Sequence, residues 1–432
     1  MQESSLYKDK SSTKDFLVSK SEGVVFEVPN DCVDTSFLNR KFKTLIPEEL
    51  VPEKFSEYTN DLERFSVISV HPDSLPDSDI CQHVLFNIAT IINDIADLKG
   101  GFWGILNGNI FTLTLPHKNS ANAIKIAKKI RTELTVVRDE TVSIGIANFP
   151  ELSFKKDIII ENSVKALEHS WFFQGNAIVS FDGVSLNISG DRYYQRGEIE
   201  KAIDEFENAI KLSPNNVNVR NSLGICYGIQ NRLTDAFKEF EEAINLDPNE
   251  IMAIHNAGLI CSIEGNSEKA LQYFLKADTL GQNIFEVKFH IGKLYFECGN
   301  FKRSIKYLKD SIEMDGTPLA YYYIAESQFK TGEYNDAIIN CKKAVKISPN
   351  YGKAISLLSE LFFKIEENIE ITILFAKHSV SLEPNNGLFR KRLGKLLYIN
   401  KDNQAALKEF EVASSLNEDV SEYIDQLRLK SA

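Results

Sequence analysis

A tight turn between two apolar segments is the first place in this sequence where catalytic side chains would be expected. The segment is LNGNIFTLTLP, residues 106–116, and its Asn-Gly pair favours a short β-hairpin. In many α/β enzymes a turn of this kind carries the carboxylates that hold metal ions and phosphates. Here all five turn residues are uncharged: Asn107, Gly108, Asn109, Ile110 and Phe111. The pattern therefore predicts a hairpin without catalytic chemistry.

The other residue types that could do chemistry are dispersed along the chain. The six cysteines contain no CxxC pair, and the seven histidines show neither HxxxH nor HExxH spacing. A glycine-rich phosphate loop is also absent from the sequence. We therefore expect no catalytic residue, no metal site and no cofactor, and we expect reduced, mostly buried cysteines.

The composition is that of an ordinary acidic, water-soluble protein. The 432 residues are 43% hydrophobic and 25% charged, with a formal net charge of −12. The sequence has no apolar run of about 18 residues, the length that would cross a membrane, and its first residues lack the apolar core of a signal peptide. We expect a cytoplasmic protein without membrane insertion. Nucleic acid is excluded as a partner because the chain has no basic surplus to bind a phosphate backbone.

Residues 61–182 alternate between strand and helix patterns. The strand patterns are ERFSVISV, the hairpin FWGILNGNIFTLTLP, TVSIGIANFP and GNAIVSF. The helix patterns are DICQHVLFNIATIINDIADL, SANAIKIAKKIRTEL and DIIIENSVKALEHSWFFQ. This β-α-β-β-α-β order predicts a ferredoxin-like α+β sheet with helices on one face.

Three segments of residues 34–182 resemble the GGDEF domain of diguanylate cyclases. TVSIGIANFPE is similar to the family's T-V-S-I-G-I-A strand and the proline that follows it. KALEHSWFFQGNAIVSFD is similar to the family's A-L-Y-x-A-K-x-x-G-x-N-x-V ending, and TSFLNR is close to its T-G-L-x-N-R opening. The resemblance implies a nucleotidyl-cyclase-like fold for this domain.

The resemblance also implies that the chemistry of the family has been lost. Asn107–Phe111 stands where the family has Gly-Gly-Asp-Glu-Phe, and Asn109 and Ile110 replace the two acidic residues. Lys99–Phe102 replaces the family's Arg-x-x-Asp product-inhibition motif. Mg²⁺ prefers hard oxygen ligands, which an amide and an isoleucine do not replace. At the end of the first strand only Asp73 remains as a possible acidic ligand.

The second half of the chain is repetitive. A small residue recurs every 33 to 35 residues, at Gly190, Gly224, Gly258, Gly292, Ala325, Ser359 and Gly394. A larger residue follows at Phe206, Phe240, Phe274, Leu308 and Phe410, whereas Cys341 and Ala376 are smaller members of the series. Each unit predicts two amphipathic helices that approach closely at the small residues, with the aromatic ring between adjacent repeats.

These seven units resemble the tetratricopeptide (TPR) repeat, and the resemblance covers residues 183–420. The tail that follows, residues 421–432, has apolar residues on one helical face and charges on the other. This arrangement is typical of a helix that caps the open end of a solenoid. The fold class expected for the whole chain is therefore an α+β domain followed by an all-α TPR solenoid.

The resemblance implies a concave surface, lined by the first helix of each repeat, that binds a protein or peptide partner. The phase of the repeat predicts that nine side chains face solvent there: Asn218, Asn221, His255, Asn256, Phe289, Lys293, Tyr322, Lys391 and Lys395. Amides in this set would pair with a peptide backbone, and the two aromatic rings would hold an apolar side chain. Any solvated groove contains some polar and aromatic residues, so the set is also consistent with a surface that binds nothing.

The sequence thus predicts four segments: a polar N-terminal arm at 1–33, a degenerate GGDEF-like domain at 34–182, seven TPR repeats at 183–420 and a capping helix at 421–432. The expected function is that of a non-enzymatic bacterial adaptor or scaffold. One alternative is a sensor that binds GTP or a cyclic dinucleotide without converting it. Residual diguanylate cyclase activity is a third possibility.

Overall fold

The computed structural model describes residue 16 and residues 35–74, 78–106, 109–116, 121–137, 141–281 and 283–431. The chain divides into two compact units, Val18–Pro248 and Asn249–Ala432, and the second unit also includes Met1–Leu17. Of the predicted N-terminal arm only Phe16 is described, and its side chain is buried. The remainder of that arm lies outside the described residues, as do Asn107 and Gly108 of the hairpin turn.

The first unit begins with an α+β region whose elements follow the predicted order. Its helices are α1 (Ser36–Lys41), α2 (Val51–Thr59), α3 (Ser78–Lys99), α4 (Ala121–Val137) and α5 (Ile159–Ser170). Its strands are β1 (Phe65–Pro72), β2 (Phe102–Leu106), β3 (Ile110–Pro116), β4 (Val142–Phe149) and β5 (Ile178–Ser180). The five strands form one mixed sheet in the order β2-β3-β1-β4-β5, in which only β4 and β5 run parallel.

Helices cover both faces of this sheet, so the prediction of helices on one face was wrong. On one face Ile68 and Val70 of β1 share a core with α3 and α4. On the other face Phe65 and Val67 pack with residues of α2 and α5. The physical reason lies in β1, which is buried at all eight positions. A strand that is apolar on both sides requires cover on both faces of its sheet.

Helix α5 lies unusually close to β4. A Cβ atom added to Gly145 would be 2.1 Å from the carbonyl oxygen of Ser163 and 2.2 Å from the amide nitrogen of Leu167. The Ser163 hydroxyl also forms a hydrogen bond of 2.7 Å with the hydroxyl of Ser69 on β1. Glycine at position 145 therefore sets the distance between helix and sheet.

Ion pairs join α5 to the first helices of the repeat region, α6 (Gly183–Gln195) and α7 (Ile199–Leu212). The buried Lys165 ammonium lies 2.6 Å from a Glu205 carboxylate oxygen and 3.0 Å from one of Glu161. Burial alone would lower the pKa of Lys165, but these two carboxylates more than offset that effect and raise it. Glu168 of α5 pairs with Arg192 of α6 in the same way. The α+β region and the first helix pair thus form one packed body.

The described repeat helices form consecutive antiparallel pairs. In the first unit, α6 pairs with α7, and α8 (Val217–Ile229) pairs with α9 (Leu233–Leu246). In the second unit the pairs are α10 (Ile251–Ile263) with α11 (Ser267–Thr279), α12 (Phe285–Glu297) with α13 (Phe301–Ile312), α14 (Pro318–Thr331) with α15 (Tyr334–Ile347), α16 (Gly352–Lys364) with α17 (Ile369–Leu382), and α18 (Gly387–Ile399) with α19 (Asn403–Ser415).

The recurring glycine of the first helix faces the recurring large residue of the second helix of the same repeat. A Cβ atom on Gly190 would be 2.5 Å from the ring of Phe206, and one on Gly224 would be 2.6 Å from the ring of Phe240. The sequence-based expectation had placed these rings between adjacent repeats. They lie on the glycine of their own repeat, where the missing side chain leaves room for the ring, and the Phe274 ring also stacks on His290 of the next repeat at 5.2 Å, as the sequence had predicted.

The second unit ends with α20 (Ser421–Ser431). Its Tyr423 ring stacks on Phe410 of α19 with 4.8 Å between ring centroids, and Leu427 is buried in the same cluster. The apolar face expected from the sequence therefore covers the last helix pair. No helix in the described part of the chain is long and apolar enough to cross a membrane.

The contact of Gly145 with α5 predicts the effect of a single methyl group. Gly145→Ala should lower the free energy of unfolding by about 3 kcal/mol or more, because the added Cβ meets backbone atoms that cannot rotate away. Denaturant unfolding followed by circular dichroism measures the change. Gly316→Ala is the control. The Cβ atom added at position 316 would lie 3.1 Å from side-chain atoms of Tyr321, Cε2 and the hydroxyl oxygen, and would meet no backbone atom at that distance. Equal stability of the two variants would contradict the proposed close packing.

Candidate functional site

The described part of the hairpin turn has no acidic side chain. Asn109 has a positive φ of 62° and is 3% exposed, while Ile110 and Phe111 are buried in β3. Phe111 pairs with Val70 of β1 in the sheet register. The side chains of Asn109 and Ile110 are therefore enclosed by the domain, and neither carries a charge.

Asp73, the one acidic residue left at the end of β1, is held by hydrogen bonds within the fold. The Ser143 hydroxyl of β4 donates to one carboxylate oxygen. The backbone amide of Asn176 donates to the other oxygen at 2.6 Å. Nearby His71 is buried and meets the Trp171 ring edge-on at 5.8 Å. Asp73 thus connects β1 to β4 and to the turn before β5. The described residues contain no group of three or more His, Cys, Asp or Glu that could bind a metal ion.

The structure corrects the expected exposure of most predicted groove residues. Asn218 is exposed, and Lys391 and Lys395 are partly exposed. The other six are buried: Asn221, His255, Asn256, Phe289, Lys293 and Tyr322. The expectation that these six side chains face solvent was wrong. The role of all nine in partner binding stays a prediction.

Aromatic packing explains why the two expected anchor rings are buried. Phe289 of α12 meets the Tyr323 ring of α14 at 6.1 Å, and Tyr322 meets the Tyr351 ring at 5.8 Å. Successive first helices therefore contact each other through these rings. Burial raises the pKa of Tyr322 well above its usual value, and the nearby Glu326 carboxylate adds to the effect.

Two of the buried residues in the second unit form a histidine pair. His255 of α10 and His290 of α12 lie 5.3 Å apart, and both contact the Phe274 ring of α11 at 5.2 Å. Burial lowers the pKa of His255 to about 4, although Asn256 partly opposes the shift. Burial also lowers the pKa of His290 well below its usual value, and His255 and Lys293 strengthen that effect. Both imidazoles are therefore neutral at pH 7.

A cavity of about 360 Å³ lies between α16, α18 and α20 in the second unit. Its lining combines cationic, aromatic and aliphatic groups: Ser359, Glu360, Phe363, Lys364, Arg392, Lys395, Leu396, Tyr398, Ile399 and Tyr423. Lys395 is the one predicted partner-binding residue that reaches it. Lys391 points elsewhere and pairs with Glu418 at 3.2 Å.

Sequence reasoning missed Lys364, Tyr398 and Tyr423 as parts of this cavity. Lys364 and Lys395 are 31 residues apart (395 − 364), which does not match the repeat length of 33 to 35 residues. The two lysines therefore occupy different positions of the repeat and do not stand out when repeats are aligned. Tyr423 comes from α20, which lies outside the repeat pattern altogether.

The histidine pair predicts a loss of stability in mild acid. A histidine whose pKa is lowered by folding binds protons more readily in the unfolded chain, so its contribution is complete above pH 6.5 and is lost as the pH falls towards 4. From the lowered pKa of His255, the free energy of unfolding should fall by about 2 kcal/mol between pH 7.5 and pH 5. Urea unfolding at a series of pH values measures this slope.

Two variants separate this effect from general acid sensitivity. His255→Gln removes one of the two titrating groups and should reduce the slope between pH 7.5 and pH 5, while His290 keeps its own contribution. His378→Gln removes an exposed histidine of α17 and should leave the slope unchanged. A slope that persists in full in His255→Gln would show that the buried pair is not its source.

Comparisons with known proteins identify the helix pairs that lie within residues 190–351. A profile described as "TPR repeat" matches residues 190–230. Profiles described as "Tetratricopeptide repeat" match residues 217–250, 253–281, 285–318 and 318–351. Among curated proteins, the "Protein CTR9 homolog" of Arabidopsis thaliana is 25% identical over 133 residues. That match covers 30% of this chain and 12% of the relative, so this chain spans only a small part of the relative's length.

Several solved structures are similar to the chain at low sequence identity. YrrB, described as a TPR protein with an unusual peptide-binding site, is 17% identical, with a TM-score of 0.39 over 43% of this chain and 95% of YrrB. PilF of Pseudomonas aeruginosa is 18% identical, with a TM-score of 0.44. The match covers 48% of this chain and 95% of the PilF chain. The Cut9–Hcn1 hetero-tetramer of the APC/C is 15% identical in sequence, with a TM-score of 0.45. The match covers 70% of this chain and 52% of the other chain. On the evidence of the matching profiles, this chain contains tetratricopeptide repeats within residues 190–351.

Proposed function

We propose that this protein is a non-enzymatic scaffold that binds a segment of a partner protein on the first helices of its TPR repeats. The observation that carries the proposal is the cavity between α16, α18 and α20, which combines two lysines with three aromatic rings. Such a mixture of a few charged groups and exposed aromatic surface is typical of protein-binding sites. The TPR repeats support the proposal, since repeats of this family generally mediate protein interactions.

We further propose that residues 34–182 are a degenerate GGDEF-like domain with a ferredoxin-like sheet, which serves as a second interaction surface. The order β1-α3-β2-β3-α4-β4 and the central position of β1 between β3 and β4 support this assignment. Asn109 and Ile110 support the loss of catalysis, because they carry no charge for two metal ions. The matching TPR profiles lie outside this region, so the GGDEF resemblance rests on the quoted residues.

The cytoplasm remains the proposed location. The described cysteines are all free thiols: Cys81, Cys226, Cys261, Cys298 and Cys341. Four of them are buried, and only Cys298 is exposed. Free thiols at this frequency are typical of proteins that fold in a reducing compartment.

Partner capture with matched variants tests the scaffold proposal. The tagged chain should retain a partner that the double variant Lys364→Glu/Lys395→Glu retains at least fivefold less. Both positions are exposed or partly exposed, so the melting temperature should change little, as surface substitutions typically cost about 0.5 kcal/mol or less. Lys377→Glu changes an exposed lysine of α17 and should behave as wild type. Equal retention by all three proteins would contradict partner binding on the first helices.

The absence of turnover is tested with GTP. Full-length protein incubated with GTP and Mg²⁺ or Mn²⁺ should yield no cyclic-di-GMP by mass spectrometry. Formation of product that disappears in Asp73→Ala would contradict the proposal and would make Asp73 a metal ligand. GTP and cyclic-di-GMP should also leave the melting temperature unchanged, whereas a ligand-dependent rise would favour the sensor alternative.

A further inference from the structure

Two consecutive second helices of the repeats, α13 and α15, carry an excess of positive charge. Helix α13 has four cations and one aspartate, and α15 has three cations and one aspartate. In the described part of the chain, none of the seven cations has a carboxylate within ion-pair distance. All seven are exposed: Lys302, Arg303, Lys306, Lys309, Lys342, Lys343 and Lys346. By contrast, acidic residues outnumber basic ones on the second helices α7 and α9 of the first two repeats.

The positive charge continues onto α17 as a row of lysines at one position of the repeat. Lys309, Lys342 and Lys377 occupy this position on α13, α15 and α17, and all three are exposed. Each stands at the same distance after the recurring small residue of its helix. The corresponding residues of the other four repeats are acidic or apolar: Glu207, Glu241, Leu275 and Glu411. The lysine row is therefore confined to the fourth, fifth and sixth repeats.

Exposed aliphatic side chains accompany these lysines. Ile339 of α15 and Leu374 of α17 stand at one further equivalent position and are 52% and 66% exposed. Ile371 of α17 is 45% exposed. The residues that correspond to Ile339 and Leu374 in the other five repeats are charged or polar: Asp204, Lys238, Gln272, Lys306 and Lys408. Large apolar groups exposed together and bordered by charges are typical of an interaction surface.

Packing contacts place the three second helices side by side. Lys309 of α13 and Ile339 of α15 both line a cavity of about 390 Å³ between these two helices. Between α15 and α17, the Phe362 ring of α16 lies 5.8 Å from the Lys342 ammonium. The same ring meets the Phe375 ring of α17 at 5.3 Å. The lysines and the exposed aliphatic groups therefore belong to one continuous surface of the second unit.

We propose that the exposed face of α13, α15 and α17 docks on the surface of a bilayer that contains anionic phospholipids. Clusters of about four to eight lysines and arginines attract anionic headgroups, and aliphatic side chains beside them enter the boundary between headgroups and acyl chains. The whole chain carries −12, so the same lipid surface repels acidic faces and favours contact through this one. The surface is formed by second helices and is separate from the first helices on which a partner segment is proposed to bind.

The chemistry of this face favours a lipid surface over nucleic acid. Six of the seven cations on α13 and α15 are lysines, and the exposed apolar side chains Ile339, Ile371 and Leu374 are aliphatic. Unpaired bases bind by stacking on aromatic rings or guanidinium planes, which aliphatic side chains do not provide. A bilayer offers an apolar layer to the aliphatic groups, and the long lysine side chains reach from that layer to the headgroups.

Co-sedimentation of the full-length protein with lipid vesicles tests this inference. The protein should bind vesicles of mixed phosphatidylcholine and phosphatidylglycerol at least tenfold more tightly than vesicles of phosphatidylcholine alone. Lys309→Gln/Lys342→Gln should bind the anionic vesicles at least fivefold more weakly than wild type. The matched control Lys211→Gln/Lys238→Gln removes two exposed lysines of α7 and α9 and should bind as wild type does. All four lysines are exposed, so the melting temperatures should change little.

A variant without any change of charge separates a bilayer from other anionic partners. Ile339→Ser/Leu374→Ser should weaken binding to anionic vesicles at least threefold, because its side chains no longer enter the apolar layer. A labelled single-stranded oligonucleotide should not bind to wild type in fluorescence polarisation. Failure to sediment with anionic vesicles, or equal sedimentation of Lys309→Gln/Lys342→Gln and wild type, would overturn the inference. Oligonucleotide binding that is lost in Lys309→Gln/Lys342→Gln, with vesicle binding unaffected by Ile339→Ser/Leu374→Ser, would also overturn it and assign the surface to nucleic acid.

Discussion

The close contact between a glycine on the first helix and a large side chain on the second helix of the same repeat is the constraint on which the repeat region depends. In five repeats a Cβ on the glycine would lie 2.5 to 3.0 Å from the facing side chain: Gly190, Gly224, Gly258, Gly292 and Gly394. Interiors are packed so densely that one additional carbon at such a point forces the helices apart. The geometry of each helix pair follows from this contact.

Two repeats have a larger residue in place of the glycine and a smaller residue on the second helix. Ala325 and Ser359 stand at the glycine position of the fifth and sixth repeats, and both are fully buried. The large residue at the facing position is replaced there by Cys341 and Ala376, which are also buried. A gain of one carbon on the first helix is thus accompanied by a smaller side chain on the second.

The same packing determines where charge remains accessible. Residues of the first helices near the glycine are enclosed by neighbouring helices, and polar groups there must be neutral or paired to be stable. His255 and His290 are neutral, while Arg392 is held by Glu360. At the C-terminal end, Lys395 of the first helix α18 and Lys364 at the end of α16 border a cavity that α20 also lines.

The sequence by itself determined the elements with strong local signals. The alternation of apolar residues gave the strands of the α+β region, and the spacing of 33 to 35 residues gave the helix pairs, because both depend on periodicities of a single chain. The absence of charge at Asn109 and Ile110 was also visible directly. Only the tertiary structure decided which side chains are accessible. Phe289 and Tyr322 were expected in solvent but lie between successive helices, and the cavity near Lys364 unites residues of α16, α18 and α20. Burial and proximity depend on how separate elements pack, and a residue's position within its own helix does not contain that information.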